Sequence, residues 1–433
     1  GDMPPGDAPI SARRFERRMN CGEVANPYGS AFWFCYLANT ALMIAVSILF
    51  RYADFVIGYL GGTEQDLGLI VGIGMIGAIL MRVVQGVGID HYGPRTVWLI
   101  CLLLFIASTG WHLLIGSVDG PSIYLARALF ATSVAGCFGA SLTYISLKVP
   151  PQRVAEMVGT LGTSGCVGLA IGPAIGDLFF SSETITRGEI NRMFVAAAVM
   201  GCVSFVCAAA ATRGQTRRER RRRPPLLAVV RRYHPGVVLL VAAAMGLGVG
   251  LPHVFLKSYV DDLDIPRIRT FFWIYAATAF LVRIRTRRIT EQLGFRPVIL
   301  MGLGSLAASM LAYMPVQSEW QLVFPALFAG VAHAFLFPAV VAAGGARFPV
   351  RYRGVATTLT LALFDVGNCF GQPLVGTMIV TSRRLELPSY PLMFATVAAT
   401  MLSVAGFYAW RTSPALVAQR QSRRAARRAG ATV

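Results

Sequence analysis

Charged residues are scarce in this chain. They make up 14% of its 433 residues, and hydrophobic residues make up 55%. Soluble domains usually carry about 25% charged residues, so much of this surface does not face water and an ordinary soluble protein is excluded. The segment 97–116 contains no acid, lysine or arginine. A segment of that length crosses the ~30 Å hydrocarbon core of a bilayer at about 1.5 Å per residue.

Several motifs that carry chemistry are also missing. The sequence lacks G-x-x-x-x-G-K-[ST], so we expect no direct use of ATP. It lacks H-E-x-x-H and any close cluster of histidine and cysteine that would suggest zinc. Its eight cysteines form no C-x-x-C pair, and seven lie in apolar runs, where reduced thiols act as small apolar groups. We therefore expect no enzyme, no cofactor and no metal site.

Acidic residues are too few to balance the basic ones, and the net charge is +19. In a soluble protein this excess would suggest a nucleic-acid partner. Nine of the arginines, however, lie in the segment 213–232, between two groups of apolar runs. Such runs between membrane spans usually set topology, so we interpret this segment as a linker and expect no nucleic acid to bind.

The apolar runs predict an all-α membrane protein with twelve transmembrane helices in two six-helix halves. Its parts are a polar segment 1–29, a first bundle 30–212, a basic linker 213–234, a second bundle 235–411 and a basic tail 412–433. The predicted spans are about 30–56, 67–85, 97–116, 122–147, 155–180, 193–212, 235–255, 268–284, 298–315, 321–345, 355–380 and 390–410.

The distribution of lysine and arginine predicts the orientation. With the N-terminus inside, 30 basic residues fall on the inner side and seven on the outer side. Both termini and the linker are then cytoplasmic. The first 27 residues hold no apolar run, so we expect no cleavable signal peptide. We expect a monomeric, multi-pass protein of a bacterial cytoplasmic membrane, in contact with the lipid bilayer and with a small-molecule substrate.

A polar loop between the second and third spans has a spaced motif. The motif has the form G-x-x-x-D-x-x-G-x-R, and a partial copy follows 201 positions later. The first copy consists of Gly86, Asp90, Gly93 and Arg95, and the second retains Glu291, Gly294 and Arg296.

The fifth and eleventh spans repeat at nearly the same distance. Arg153 and Arg353 are 200 positions apart, and so are Pro173 and Pro373. Arg82 and Arg283 are 201 positions apart. Two six-helix halves in parallel repeat, joined by a basic linker, form a known transporter architecture.

These features resemble the major facilitator superfamily over nearly the whole chain. The loop motif of residues 86–95 resembles its signature loop, and residues 168–176 resemble its fifth-helix antiporter motif G-x-x-x-G-P-x-x-G-G, with Asp177 in place of the last glycine. Arg127 resembles a membrane-embedded arginine of the fourth helix, although Ala131 replaces the usual glycine. The eleventh span resembles bacterial sugar and drug efflux members.

The resemblance implies roles for both motifs. The loop implies a cytoplasmic latch in which Asp90 faces a helix N-terminus near residues 354–358 and Arg95 pairs with an acid; a simple topology-setting turn is the alternative. We expect Asp90 to matter more for switching than Glu291, because the second copy has Arg287 in place of glycine. In the fifth span, Gly168, Gly172, Pro173 and Gly176 allow close packing or bending between states.

Asp365 lies about ten residues into its span, roughly 15 Å deep. A carboxyl group at that depth is costly unless it faces a partner or a cavity, or carries a proton. It could carry the coupling proton, form a structural hydrogen bond or contact the substrate. Other candidates for the central cavity or for coupling are Arg127, His333, Asn39, Asn368 and Gln372. Arg127 could attract an anionic substrate, pair with an acid such as Asp54 or Asp177, or cap backbone carbonyls.

The sequence thus predicts a secondary transporter that exports a small organic molecule by alternating access, with the proton as coupling ion. Uptake or facilitated diffusion of a metabolite or an organic anion is the first alternative. A membrane sensor or scaffold that does not transport, built on the same fold, is the second.

Overall fold

The structure is a computed structural model. It describes residues 28–149, 153–180, 184–214, 226–286, 288–349 and 352–413, without the side chains of residues 86, 87, 90, 154, 155, 226–228 and 353. The described chain is almost entirely helical. Ten of its helices are long and apolar enough to cross a membrane.

The first half contains helices α1 to α6. The continuous helical stretch Glu64–Trp111 bends at Gly93, and α2 and α3 are its two apolar segments. The helices are α1 (Ser30–Ile48), α2 (Glu64–Gln85), α3 (His91–Leu114), α4 (Pro121–Lys148), α5 (Val154–Phe179) and α6 (Arg187–Ala211). The first predicted span does not stay α-helical to residue 56, because a 3-10 turn at Leu49–Arg51 and a π-helix at Asp54–Tyr59 follow α1.

The second half follows a short linker helix, α7 (Leu226–Tyr233), which occupies part of the predicted linker. Its helices are α8 (Val238–Asp261), α9 (Arg269–Arg285), α10 (Ile289–Leu293), α11 (Phe295–Tyr313), α12 (Val323–Gly345), α13 (Arg353–Arg384) and α14 (Ser389–Arg411). Helices α9, with 17 residues, and α13, which carries several polar side chains, are the two predicted spans outside the ten most apolar ones. With them the described helices are consistent with the expected twelve.

Two threonines fix where helices begin. Thr63 accepts a hydrogen bond from the Asp66 N–H while the Asp66 carboxylate accepts one from the Thr63 N–H, a capping box at the start of α2. Thr186 and Glu189 make the same pair of bonds at the start of α6. These bonds satisfy backbone donors that a helix N-terminus otherwise leaves free.

The sequence repeat has matching structure in both halves. Gly93 and Gly294 both have left-handed backbone, with φ of 83° and 80°, a conformation that glycine adopts without strain. Two residues later, Arg95 donates to the Thr212 carbonyl at 3.2 Å and Arg296 donates to the Ala409 carbonyl at 3.2 Å. Each arginine therefore binds the C-terminal end of the last helix in its own half, where a cation is favourable.

Close backbone contacts hold α5 against α1. A Cβ at Gly168 would lie 2.3 Å from the Met43 Cβ, and one at Gly172 would lie 1.9 Å from the Ser47 hydroxyl. The Ser47 hydroxyl donates to the Gly168 carbonyl at 2.8 Å. The third glycine of the motif, Gly176, continues this contact. The motif thus packs within the first half, and α5 stays helical through Pro173.

The second half uses the same device between α8 and α13. A Cβ at Gly246 would lie 2.0 Å from the Phe364 carbonyl oxygen, and one at Gly367 would lie 1.9 Å from the Ala243 carbonyl oxygen. No side chain fits at either position, since both neighbours are backbone atoms. The α1–α5 and α8–α13 pairs are equivalent under the repeat.

We predict that Gly246→Ala destabilises the protein by about 1–3 kcal/mol, the usual cost of overpacking. Gly304→Ala is the matched control, because a Cβ at Gly304 meets nothing within 4 Å and alanine favours helix. Thermal unfolding of the purified protein measures both. Equal unfolding midpoints for the two variants would contradict this account of the α8–α13 contact.

Candidate functional site

An ion pair joins the two halves within the helical region. The Nε of Arg82, on α2, lies 3.0 Å from Oδ2 of Asp365, on α13, and both side chains are largely buried. A carboxylate away from water needs a counter-charge, and here it comes from the opposite half. Asp365 was predicted from its depth in the sequence. Arg82, 283 positions away, was not predicted as its partner.

The seam between α2 and α13 is built on glycines. A Cβ at Gly68 would lie 2.4 Å from the Gln372 carbonyl oxygen, and one at Gly376 would lie 2.2 Å from the Glu64 carbonyl oxygen. Backbones therefore touch across the halves, as only glycine permits. The seam extends from Glu64 to Arg82, about 27 Å along α2 at 1.5 Å per residue. We call the limit at Glu64 the Glu64 end. We call the opposite limit, near Arg82 and the bend at Gly93, the Gly93 end.

Two predicted polar residues lie beside this seam on α13. The Gln372 side-chain amide donates to Oδ1 of Asn368 at 3.0 Å. Both side chains are buried, and a Cβ at Gly250 of α8 would lie 1.9 Å from the Asn368 oxygen. Gln372 Oε1 is buried and accepts no hydrogen bond from the residues that the structure describes. The pair therefore occupies the α8–α13 contact, about one and two helical turns from Asp365 toward the Glu64 end.

A buried charge network closes the Glu64 end. Arg51 Nε lies 2.5 Å from Asp54 Oδ2, and Arg51 Nη1 lies 2.8 Å from Asp177 Oδ1. Lys257, in the second half, lies 3.3 Å from Asp54 Oδ1 and also pairs with Asp261. Two acids and one arginine of the first half are thus tied to a lysine of the second.

Asp177 forms a second polar contact between the two halves; we call each such contact a tie. Its Oδ2 accepts hydrogen bonds from the backbone N–H groups of Ile268 at 3.2 Å and Arg269 at 3.0 Å, which begin α9. A carboxylate at a helix N-terminus interacts favourably with the helix dipole and with the free N–H groups. Another hydrogen bond joins α5 and α9, because the Trp273 indole donates to the Ala170 carbonyl at 2.9 Å. Helices α5 and α9 therefore form a second seam between the halves.

Glu64 forms the third tie. Its two carboxylate oxygens accept hydrogen bonds from Arg383 at 2.9 and 3.1 Å. The Tyr390 hydroxyl donates to the same carboxylate at 3.2 Å, and the Ser258 hydroxyl donates at 3.3 Å. Three helices of the second half, α8, α13 and α14, thus converge on one carboxylate of α2. The halves are closed at this end.

Arg127 does not take the partners expected for it. Asp54 and Asp177 pair with Arg51 instead. The Arg127 guanidinium lies over the rings of Tyr52 and Phe130, with 4.5 and 4.7 Å to the ring centroids. A cation over aromatic faces is stabilised without a carboxylate. Gly74 of α2 packs against the arginine stem, where a Cβ would lie 2.7 Å from Arg127 Cγ.

The remaining predicted residues fall in two places. His333 Nδ1 lies 2.5 Å from the Tyr275 hydroxyl, and its ring stacks on Phe337 with 5.7 Å between centroids. Asn39 donates to the Cys35 carbonyl and accepts from Ser141, inside the first half. His333 thus lies near the α5–α9 seam, and Asn39 is bonded within its own bundle.

The loop motif is only partly described. Glu291 is exposed in α10, and Gly93, Gly294, Arg95 and Arg296 have the contacts given above. The side chain of Asp90 lies outside the described residues, and the surroundings of Gly86 do too, so the latch stays a prediction.

The sequence interpretation missed the ties at the Glu64 end, which include Glu64, Lys257 and Arg383. A signal existed, because acids are rare in this chain and several stand beside or inside apolar runs. The pairing itself needs the fold, since Glu64 and Arg383 are 319 positions apart.

We predict that Glu64→Gln loosens the Glu64 end. Glutamine removes the charge that pairs with Arg383, and because the Arg383 side chain is 50% exposed, we expect a cost of about 1 kcal/mol. Spin labels at Ser117 and Ser318, exposed on one loop of each half at this end, should show longer distances by double electron–electron resonance. Glu156→Gln removes an exposed pair within one half and is the control. Unchanged distances in Glu64→Gln would contradict the role of this carboxylate.

The architecture matches that of known proteins. The family model described as Major Facilitator Superfamily matches residues 29–317. No curated protein matches the sequence.

Several solved structures share the fold. A mutant of the nucleoside transporter NupG has a TM-score of 0.75 at 11% identity, over 89% of this chain and 100% of that one. A bacterial homologue of the human lysosomal transporter Spinster has a TM-score of 0.65 at 16% identity, over 92% and 98%. The D-xylose-proton symporter has a TM-score of 0.64 at 13% identity, over 86% and 96%.

The match of the family model over most of the chain confirms the predicted resemblance and the fold class. The chain is an integral, multi-pass membrane protein and a transporter rather than an enzyme. It belongs to the Major Facilitator Superfamily.

Proposed function

We propose that this protein is a secondary active transporter that exports a small organic molecule by alternating access, driven by protons. The observation that supports the mechanism is the Arg82–Asp365 ion pair, which links α2 of one half to α13 of the other at 3.0 Å. The symmetric halves supply two rigid bodies that can rock about a central site. The ion pairs between the two halves are contacts that form in one conformational state and must break in the other.

Protonation of Asp365 is the coupling step in this proposal. A protonated carboxyl group no longer pairs with the Arg82 guanidinium, so the α2–α13 seam loses its only ion pair at this depth among the described residues. Without this ion pair, the two halves are held together less tightly at the Gly93 end. Deprotonation restores the pair and the closed seam. The proton thus biases one conformation, as a coupling ion must.

The distribution of basic residues supports an orientation. With 30 basic residues on the inner side, the Gly93 end faces the cytoplasm and the Glu64 end faces outward. The structure is then closed toward the outside by the ties at Asp54, Asp177 and Glu64. In this proposal the protein is a monomer in a bacterial cytoplasmic membrane with both termini inside. The likeness of the fifth-helix motif to antiporters supports export.

We predict that Asp365→Asn abolishes flux driven by a pH gradient. A compound found by thermal-shift screening is loaded into proteoliposomes, and its flux is followed with and without the gradient. The variant should bind the compound and exchange it without a gradient, since asparagine keeps the shape of the side chain but cannot carry the proton.

Glu156→Gln, an exposed acid on α5, is the control and should keep gradient-driven flux. Undiminished gradient-driven flux in Asp365→Asn would refute the coupling role. Flux of the unmodified protein that ignores pH would indicate facilitated diffusion. Binding without flux under any gradient would indicate a sensor.

A further inference from the structure

Arg283 lies on the face of α9 that is buried within the protein. Phe272, Ala276 and Ala279 precede it at intervals of four and three residues and are at most 5% exposed. This spacing places all four side chains on one face of the helix. Leu281 is 63% exposed and turns to the other side, so Arg283 does not point toward lipid with it.

The Arg283 guanidinium reaches the α5–α9 seam. Its Nη1 lies 3.4 Å from the position of a Cβ at Gly162 of α5, in the other half. The side chain is half-buried, and it forms no ion pair or hydrogen bond with any residue that the structure describes.

The repeat explains why this arginine meets no acid among the described residues. Arg82 and Arg283 are 201 positions apart and stand at equivalent places on α2 and α9. Arg82 meets Asp365 on α13, and the equivalent position on α5, 200 positions earlier, is Gly165. A Cβ at Gly165 meets nothing within 4 Å, so there is open space where the acid would stand.

We propose that Arg283 binds the carboxylate of an organic anion at the α5–α9 seam and that this anion is the transported substrate. The seam supplies a cation and open space, and the matching seam shows that the same geometry holds a carboxylate. This inference rests on the proposed transport function and names its substrate class. A guanidinium suits a carboxylate because it donates two parallel hydrogen bonds.

Neighbouring groups define the rest of the ligand. The Tyr275 hydroxyl bonds His333 Nδ1, which leaves the Nε2 of the imidazole available for a second polar contact. The ring of Phe337 stacks on His333 with 5.7 Å between centroids, and Tyr275 lies about two turns before Arg283 on α9. These aromatic groups favour an anion with a flat apolar body.

Arg127 is the less suitable anion site of the two. Arg127 is 9% exposed, and two rings of its own half, Tyr52 and Phe130, cover its guanidinium. It also makes no hydrogen bond or ion pair with the second half among the described residues. Arg283 lies between the halves, where a ligand can be bound differently in the two states.

The test measures preference for an anion over its neutral isostere. Benzoate, 1-naphthoate and indole-3-acetate are each compared with the corresponding primary amide by calorimetry, with the full chain in nanodiscs and no gradient. We expect at least one carboxylate to bind at least tenfold tighter than its amide. Arg283→Gln should reduce that ratio to below twofold. Arg285→Gln removes an exposed arginine two positions away and should keep it.

A second pair of variants fills the open space. Gly165→Asp should supply the missing acid to Arg283 and abolish the preference as fully as Arg283→Gln does. Gly165→Asn has the same shape without the charge and should retain at least half of the preference. Both add a Cβ where nothing lies within 4 Å, so we expect both to fold.

Three results would overturn the proposal: no carboxylate preferred over its amide, a preference that survives Arg283→Gln or Gly165→Asp, or an equal loss in Arg285→Gln. Failure here is distinguishable from failure of proton coupling, because the binding assay uses no gradient.

Discussion

The need of a buried charge for a counter-charge organises this molecule. In an apolar environment an unpaired carboxylate is costly, and the buried acids Asp54, Glu64, Asp177 and Asp365 each pair with a lysine or an arginine. In this chain the cation often comes from the other half. Lys257 reaches Asp54, Arg383 reaches Glu64, and Arg82 reaches Asp365. The same constraint that stabilises the closed state makes its contacts sensitive to protonation and to ligands.

Glycines determine where such pairs can form. Across the α2–α13 seam, Gly68 and Gly376 bring backbones into contact, which places the Arg82 and Asp365 side chains within reach of each other. Within each half, glycines on α5 and on α8 and α13 hold the equivalent helix pairs together. The halves are therefore compact bodies, and the ionic ties between them are the contacts best suited to break and re-form.

The repeat is imperfect, and the imperfections assign different tasks to the two seams. On the α2–α13 seam the arginine has its acid, and in our proposal that pair responds to protons. On the α5–α9 seam Gly165 replaces the acid and leaves Arg283 to a ligand. One inherited geometry thus provides both a proton-sensitive contact and an anion site.

Much of the fold could be predicted from the sequence, because apolar length and a repeat of about 200 residues are signals that the sequence carries directly. Gly93 and Gly294, for example, occupy the predicted turns with matching backbone. The depth of Asp365 could be predicted for the same reason. Its partner could not, since Arg82 meets it only after two halves pack. Of the roles left open for Arg127, the structure does not contain the pairing with Asp54 or Asp177, because Arg51 lies between those acids and aromatic rings lie against Arg127.

The central claim is that the Arg82–Asp365 pair links proton binding to movement of the halves. The most direct test is the distance between spin labels at Tyr92 and Leu293, exposed at the Gly93 end of each half, as pH is lowered. The account predicts that the distance lengthens on acidification in the unmodified chain. In Asp365→Asn it should already be long and independent of pH. The same pH-dependent change in Asp365→Asn as in the unmodified chain would contradict the account.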